Sequence, residues 1–166
     1  MKISEAFERC GSDKTTDHSY GDFYDDITQQ YQIRSVLEIG VFQGGGLAAW
    51  KLFNSGISVI GVDTEKLTAF PTIIATTPDY APVVDYCEAH SLKFDIIIDD
   101  GGHQEVSQIL GLYYLRQFLN PSGLYVIEDI QNDDIANRMQ QMDGFVIDLR
   151  NIKQRYDDVL AVWHNH

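Results

Sequence analysis

The chain has 166 residues, 25 of them acidic and 12 basic, for a formal charge of −13. Such a surface repels phosphate backbones and argues against nucleic acid as a partner. No apolar run approaches the roughly 18 residues that a membrane span needs. The length suits one domain (1–166) with its own core. The opening MKISEAFERCGSDK lacks an apolar signal core, and Cys10 and Cys87 match neither a disulfide framework nor a zinc spacing. Together these predict a cytoplasmic protein with free thiols.

In chain order, short β-branched runs alternate with longer segments of helical character. Strands are predicted over 35–41 (SVLEIGV), 58–63 (SVIGVD), 72–76 (TIIAT), 94–98 (FDIII), 123–128 (GLYVIE), 145–149 (FVIDL) and 159–163 (VLAVW). Helices are predicted over 45–53, 80–90, 106–119 and 135–142. This alternation implies right-handed βαβ units and an α/β fold with a mostly parallel seven-stranded sheet. The last two runs are joined by a charged turn too short for a crossover helix, so they should form an antiparallel edge hairpin. Pro71 and the short span after Asp63 leave no room for a full helix there.

The first strand ends in Glu38-Ile39-Gly40, followed by Val41-Phe42-Gln43 and Gly44-Gly45-Gly46. A glycine-rich turn at the carboxyl end of a strand, opening a helix, lets a ligand approach unpaired backbone N–H groups. Gly44, Gly46 and Ala49 match G-x-G-x-x-A, the dinucleotide fingerprint, but its first glycine should follow the strand directly, and Gly40 holds that place. The pattern formed by Glu38, Gly40 and Gly44 is in register with the strand and resembles motif I of class I S-adenosylmethionine (SAM) methyltransferases. Asp63 ends the second strand, where a carboxylate can accept hydrogen bonds from ribose hydroxyls. Its other reading is a turn cap.

Two further strands end in paired acids, Asp99-Asp100 and Glu128-Asp129. Alternation along a strand points the members of each pair apart. Carboxylates gathered at neighbouring strand tips repel unless they are protonated or met by a cation, and an all-oxygen site suits a hard divalent ion such as Mg2+. His103 follows in a glycine loop, where a neutral imidazole can take a proton near pH 7. His90, His164 and His166 stand at a helix end and the C-terminus and read as structural.

Three motifs carry a specific resemblance: Glu38-Ile-Gly-Val-Phe-Gln-Gly-Gly, Asp99-Asp-Gly-Gly-His-Gln and Gly123-Leu-Tyr-Val-Ile-Glu-Asp. With Gly11-Ser-Asp-Lys14, His18, Tyr20 and Tyr24 upstream, the stretch from about residue 10 to 130 resembles the macrocin and mycinose-pathway sugar O-methyltransferases. The resemblance implies a Rossmann-like methyltransferase fold and Mg2+-assisted methylation of a hydroxyl on a sugar or glycosylated small molecule. It implies that Asp100, Glu128 and Asp129 bind metal and that His103 is the general base, with Asp100 beside it. Lys14, Tyr20, Glu38, Gly40, Gly44, Asp63 and Asp99 would serve the cofactor, with residues 1–32 as the segment that covers it. An open acceptor side would suit a large acceptor or a cover supplied by a second copy of the chain, that is, a homo-oligomer. A SAM-binding module without methyl transfer is the competing reading.

Overall fold

The structure is a computed structural model, and it describes residues 1–165; His166 lies outside the described residues. The chain opens with three helices, α1 (Ile3–Arg9), α2 (Asp13–Thr16) and α3 (Gly21–Gln30), and then enters the sheet. The remaining elements are β1 (Ser35–Ile39), α4 (Gly45–Phe53), β2 (Ser58–Asp63), β3 (Thr72–Ile74), α5 (Ala81–Ala89), β4 (Phe94–Asp99) and α6 (Glu105–Leu115). After a 3-10 turn over Arg116–Phe118 come β5 (Leu119–Ile127), α7 (Asp133–Gln141), β6 (Phe145–Asp148), α8 (Arg150–Lys153) and β7 (Val159–His164).

One seven-stranded sheet has the order β3-β2-β1-β4-β5-β7-β6. All strands but β7 run parallel, and β7 lies antiparallel between β5 and β6. The predicted α/β class, the seven strands and the antiparallel hairpin are all present. No helix forms between β2 and β3, as the short span containing Pro71 requires. The chain winds outward from β1 to β3 and then returns to β4, so the switch point falls between β1 and β4. This is where open α/β sheets leave a crevice at their carboxyl edge.

The inner strands read as near-continuous apolar runs because both of their faces are covered. Leu37, Ile39, Ile97, Tyr125 and Ile127 pack with Val83, Leu112 and Met139 from the helices on one face. Val36, Ile96, Ile98, Leu124 and Val126 pack with Phe7, Tyr24, Leu47 and Trp50 on the other. Period-two alternation therefore assigns Glu38 to the face carrying α1, α3 and α4, and Asp99 to the face carrying α6.

Two elements depart from the sequence expectation. β5 begins at Leu119, earlier than the predicted 123, and its pairing with β4 shifts register between Phe94 and Ile96. Asn120-Pro121-Ser122 absorbs the shift as a bulge, with Ser122 at φ 63°. The charged turn before β7 contains the short α8. Among the described residues, no helix is long and apolar enough to cross a membrane.

The N-terminal helices are held by a polar cross-link. Asp25 of α3 accepts hydrogen bonds from the Ser4 backbone N–H at 3.0 Å and the Ser4 hydroxyl at 2.8 Å, and it pairs with Lys2 at 3.1 Å. It thus caps the start of α1, whose own N-cap residue, Lys2, does not cap the helix with its side chain. Burial alone would raise the Asp25 pKa, but the bonds from Ser4 and Lys2 outweigh it and hold the carboxyl below its ordinary value. A lowered folded-state pKa gives stability that is present above about pH 4 and lost as pH falls through the folded value. Asp25→Ala should cost about 1–2 kcal/mol at neutral pH. In urea melts the gap between variant and wild type should narrow in strong acid; a gap that does not change with pH would deny Asp25 this role.

Candidate active site

The turn after β1 forms the floor of a cleft of about 720 Å3, walled by Gly44, Asp63, Asp100 and His103 and, from the N-terminal segment, by Ser12 and Asp13. Gly40 and Gly44 sit at φ 80° and 85°, where only glycine is unstrained. A Cβ at Gly40 would stand 2.1 Å from the Asp100 carbonyl oxygen, so the absence of a side chain lets the loops after β1 and β4 touch. A Cβ at Gly46 would stand 2.4 Å from Glu38 Oε1, so the α4 N-terminus is bare where Glu38 lies.

Glu38 is buried; Oε1 lies 3.2 Å from Lys14 Nζ, and Oε2 has no hydrogen-bond partner. Burial raises its pKa, and the Lys14 ammonium only partly offsets that. A buried acceptor without a partner, beside a bare helix start, fits a ligand that carries donors. Asp63 accepts hydrogen bonds from the backbone N–H groups of Val41 and Phe42 at 3.0 and 2.8 Å. It therefore fixes the turn itself, as in its turn-cap reading, and it also lines the cleft. A second cavity of about 240 Å3 shares Gly40, Asp63 and Gly101 with the first and extends to Ala75 and Thr77.

The paired acids divide as strand alternation requires. Asp99 turns away to the α6 face, where Tyr125 donates to it at 3.3 Å and Gly111 leaves room for it. Burial pushes its pKa up to about 7. Asp99 does not itself line the cleft, but its Oδ1 accepts a hydrogen bond at 3.3 Å from the N–H of Gly101, which does. Asp100 turns into the cleft, with Oδ2 at 2.7 Å from Lys14 Nζ and Oδ1 at 3.4 Å from His103 Nε2. Burial works against its charge, but Lys14 and His103 prevail and hold it down at about 2.

Glu128 is wholly buried, and both of its oxygens are taken. Lys14 donates to Oε2 at 2.5 Å, and the Tyr24 hydroxyl donates to Oε1. Asp129, at φ 56°, turns the other way. Its Oδ1 accepts from the Tyr20 hydroxyl at 2.5 Å and lies 3.2 Å from His18 Nδ1, while its Oδ2 lies 3.5 Å from His103 Nε2. Ligand atoms of Asp100, His103 and Asp129 all lie within 4.8 Å of one another. Two carboxylates and an imidazole at that spacing fit a divalent cation. Glu128, the third ligand that the resemblance implies, is next in sequence but is engaged by Lys14 and Tyr24. His103 has its pKa raised chiefly by Asp100, against burial and with help from Asp129.

Lys14 and Tyr20 end on acidic side chains rather than on the cleft floor. Ser19, Asp157 and Asp158, which lie beyond the sequence-derived set, complete the arrangement. His18 Nδ1 lies 2.8 Å from Asp158 Oδ1, Ser19 donates to Asp158 Oδ2 at 2.7 Å, and Tyr20 donates to the Asp157 carbonyl at 3.2 Å. The only sequence signal for this support was the acid pair Asp157-Asp158 just before the last strand. Of the histidines read as structural, His90 bonds the Tyr86 carbonyl of its own helix and His164 approaches Tyr31.

Sheet order, switch point and glycine cleft together define a class I SAM-dependent methyltransferase fold. Within that class the chain resembles the sugar O-methyltransferases of the macrocin and mycinose group. An 8-demethyl-8-alpha-L-rhamnosyl tetracenomycin-C 2'-O-methyltransferase of Streptomyces olivaceus is 34% identical over 137 residues, covering 74% of this chain and 36% of that protein. The mycinamicin VI 2''-O-methyltransferase of Micromonospora griseorubida is 32% identical over 127 residues, covering 68% of this chain and 32% of that protein. A solved structure of MycE methyltransferase in complex with Mg, SAH and mycinamycin VI superposes with a TM-score of 0.68 at 31% identity, over 78% of this chain and 37% of that one. No protein-family model matches the chain. The chain spans about a third of the length of the curated relatives it matches, at 36%, 32% and 32%.

The contact between Gly40 and the Asp100 carbonyl yields a direct test. Gly40→Ala places a methyl against backbone at a left-handed φ and should cost about 2 kcal/mol or more. That corresponds to a drop of about 4–8 °C in melting temperature. A variant that melts like the wild type would mean that the two loops are not in contact.

Proposed function

We propose that this chain is the catalytic domain of a SAM-dependent O-methyltransferase that uses a divalent cation and acts on a hydroxyl of a sugar or glycosylated small molecule. The observation that carries the reading is the position of His103 Nε2, 3.4 Å from Asp100 and 3.5 Å from Asp129 at the rim of the glycine cleft. The acceptor class comes from the relatives, whose names describe methylation of glycosylated metabolites. The −13 charge supports a small-molecule rather than a nucleic-acid partner. The free thiols Cys10 and Cys87 suit a reducing cytoplasm.

SAM, when bound, supplies an electrophilic methyl group. The bare turn of Gly40, Gly44 and Gly46 admits it close to backbone, and Glu38 Oε2 offers an acceptor for an ammonium. Asp63 offers carboxylate lone pairs to ribose hydroxyls, and residues 1–32 cover the cleft through Ser12 and Asp13. A divalent cation, when bound, supplies positive charge that makes an acceptor hydroxyl more acidic. Asp100 and Asp129 are the carboxylates best placed to hold it. His103 Nε2 would take the hydroxyl proton and leave the oxygen to attack in line, the new C–O bond forming as the methyl's bond to the SAM sulfur breaks and S-adenosylhomocysteine departs, with alignment providing much of the acceleration. Tyr20 and His18 hold Asp129 in its orientation.

Calorimetry should give binding of SAM and S-adenosylhomocysteine and none of NAD; NAD binding without a response to SAM would overturn the cofactor assignment. With a panel of glycosylated acceptors, methyl transfer should stop in EDTA and return with Mg2+. SAM binding with no turnover on any acceptor would favour the binding-module reading. His103→Ala should lower turnover roughly 100- to 10,000-fold while SAM affinity holds. The neutral imidazole is the base, so wild-type turnover should rise with pH through one ionisation that the variant lacks. An unchanged rate and pH profile would remove His103 from the reaction.

A further inference from the structure

Cys10 brings a thiol to the wall of the cleft, beside Gly11, Ser12 and Asp13. It closes α1, its backbone N–H donating to the Ala6 carbonyl at 3.0 Å, and it is half-buried. A Cβ at Gly45 would stand 3.2 Å from the Cys10 carbonyl oxygen, so Cys10 abuts the bare first residue of α4. Cys87, the second cysteine of the chain, is wholly buried on α5, and burial pushes its thiol up to about 11. The charged walls of the cleft are Asp13, Asp17, Glu38, Asp63 and Asp100, with no lysine or arginine lining it among the described residues. Lys14, underneath, is buried and already matched by Glu38, Asp100 and Glu128. Glu38 is 2% exposed and its Oε2 has no hydrogen-bond partner, so the cleft holds a buried acceptor without a donor. Burial chiefly, and then Asp100 and Asp13, raise the Glu38 pKa against Lys14, so a charge on α2 is felt inside the cleft.

We infer that Cys10 is a modification site for small cationic disulfides, and that a group attached there shuts the cofactor out of the cleft. The inference rests on the SAM assignment above. In the exchange the Cys10 thiolate attacks one sulfur of the disulfide. The new S–S bond forms as the old one breaks, and the other half leaves as a thiolate that takes up the proton the Cys10 thiol gave up. Burial raises the Cys10 pKa and so lowers its thiolate fraction, which gives the advantage to a reagent drawn in by charge. Acids lining a cleft concentrate a cation there and repel an anion. An ammonium carried in with the reagent supplies the kind of donor that Glu38 Oε2 lacks, in competition with the ammonium of SAM.

Cystamine, which carries two ammonium groups, and dimesna, its sulfonate counterpart, are the reagents, each rate being divided by that reagent's rate with free mercaptoethanol. With EDTA present and at low salt, cystamine should modify the folded full chain at least about tenfold faster than dimesna on this scale. The preference should shrink as salt is added and in Asp13→Asn combined with Asp17→Asn; salt alone decides if that double variant does not fold. Peptide mapping by mass spectrometry should place the aminoethylthio group on Cys10 and leave Cys87 free. Saturating SAM should slow the modification at least about tenfold. By calorimetry the modified protein should bind SAM at least about tenfold more weakly, and dithiothreitol should restore binding. Modification at Cys87 first, none at Cys10, equal scaled rates, or a preference that salt does not lower overturns the inference. A modified protein that binds SAM as the unmodified one does also overturns it, and in all these cases SAM binding by the unmodified chain leaves the cofactor assignment intact. A modified protein without a cooperative melt overturns it too, because binding is then lost with the fold. If the unmodified chain does not bind SAM, the inference and the assignment both fall.

Discussion

Parallel pairing obliges β1, β4 and β5 to finish at the same edge of the sheet, and in this chain each finishes in an acid. Glu38, Asp100 and Glu128 are brought together by topology, whatever their charges prefer. Buried carboxylates at this spacing must be protonated or have a cation among them, and Lys14 Nζ provides one from outside the sheet. Removing one partner of such a buried ionic group typically costs roughly 3–5 kcal/mol, because the remaining charges are left unpaired. The N-terminal helices are therefore more than a cover. The electrostatics of the strand tips require the residue they deliver.

The same junction joins the two halves of the cleft. The glycine turn and Glu38 lie to one side of it, while His103 and Asp129 lie to the other. Asp100 belongs to both: its carbonyl abuts Gly40, one carboxylate oxygen meets Lys14, and the other faces His103. A shift in the loop after β4 would be felt at once by the turn after β1. This close fit explains why a residue with no Cβ is needed at Gly40, independently of any ligand that the turn admits.

Most of the architecture was legible in the sequence, because strands buried on both faces write themselves as apolar runs and helices fill the gaps. The hairpin of β6 and β7 followed from the length of its connection, and the shortened segment after Asp63 from Pro71. Alternation also foretold that Asp99 and Asp100 would part, as would Glu128 and Asp129. It could not say which member of each pair enters the cleft, since that depends on how the chain turns once the strand has ended. The partners of Lys14 were hidden for a different reason. Lys14 meets Asp100 across 86 residues and Glu128 across 114, and no local pattern encodes a contact at that range. His18, Ser19 and their partner Asp158 are separated further still, by 140 and 139 residues.

That last separation bears on how the molecule comes together. Residues 14–20 are secured by Lys153, Asp157 and Asp158, at the far end of the chain. During synthesis the glycine turn, β4 and β5 can all exist before any of these anchors has been made. Contacts so distant in sequence bear the cost of closing nearly the whole chain into a loop, and they form late. Lys14 is therefore held over the strand tips by residues that precede β7 in sequence by only a few positions. The hairpin of β6 and β7 and the helices over the strand tips are thereby coupled, so that loosening the one would release the other.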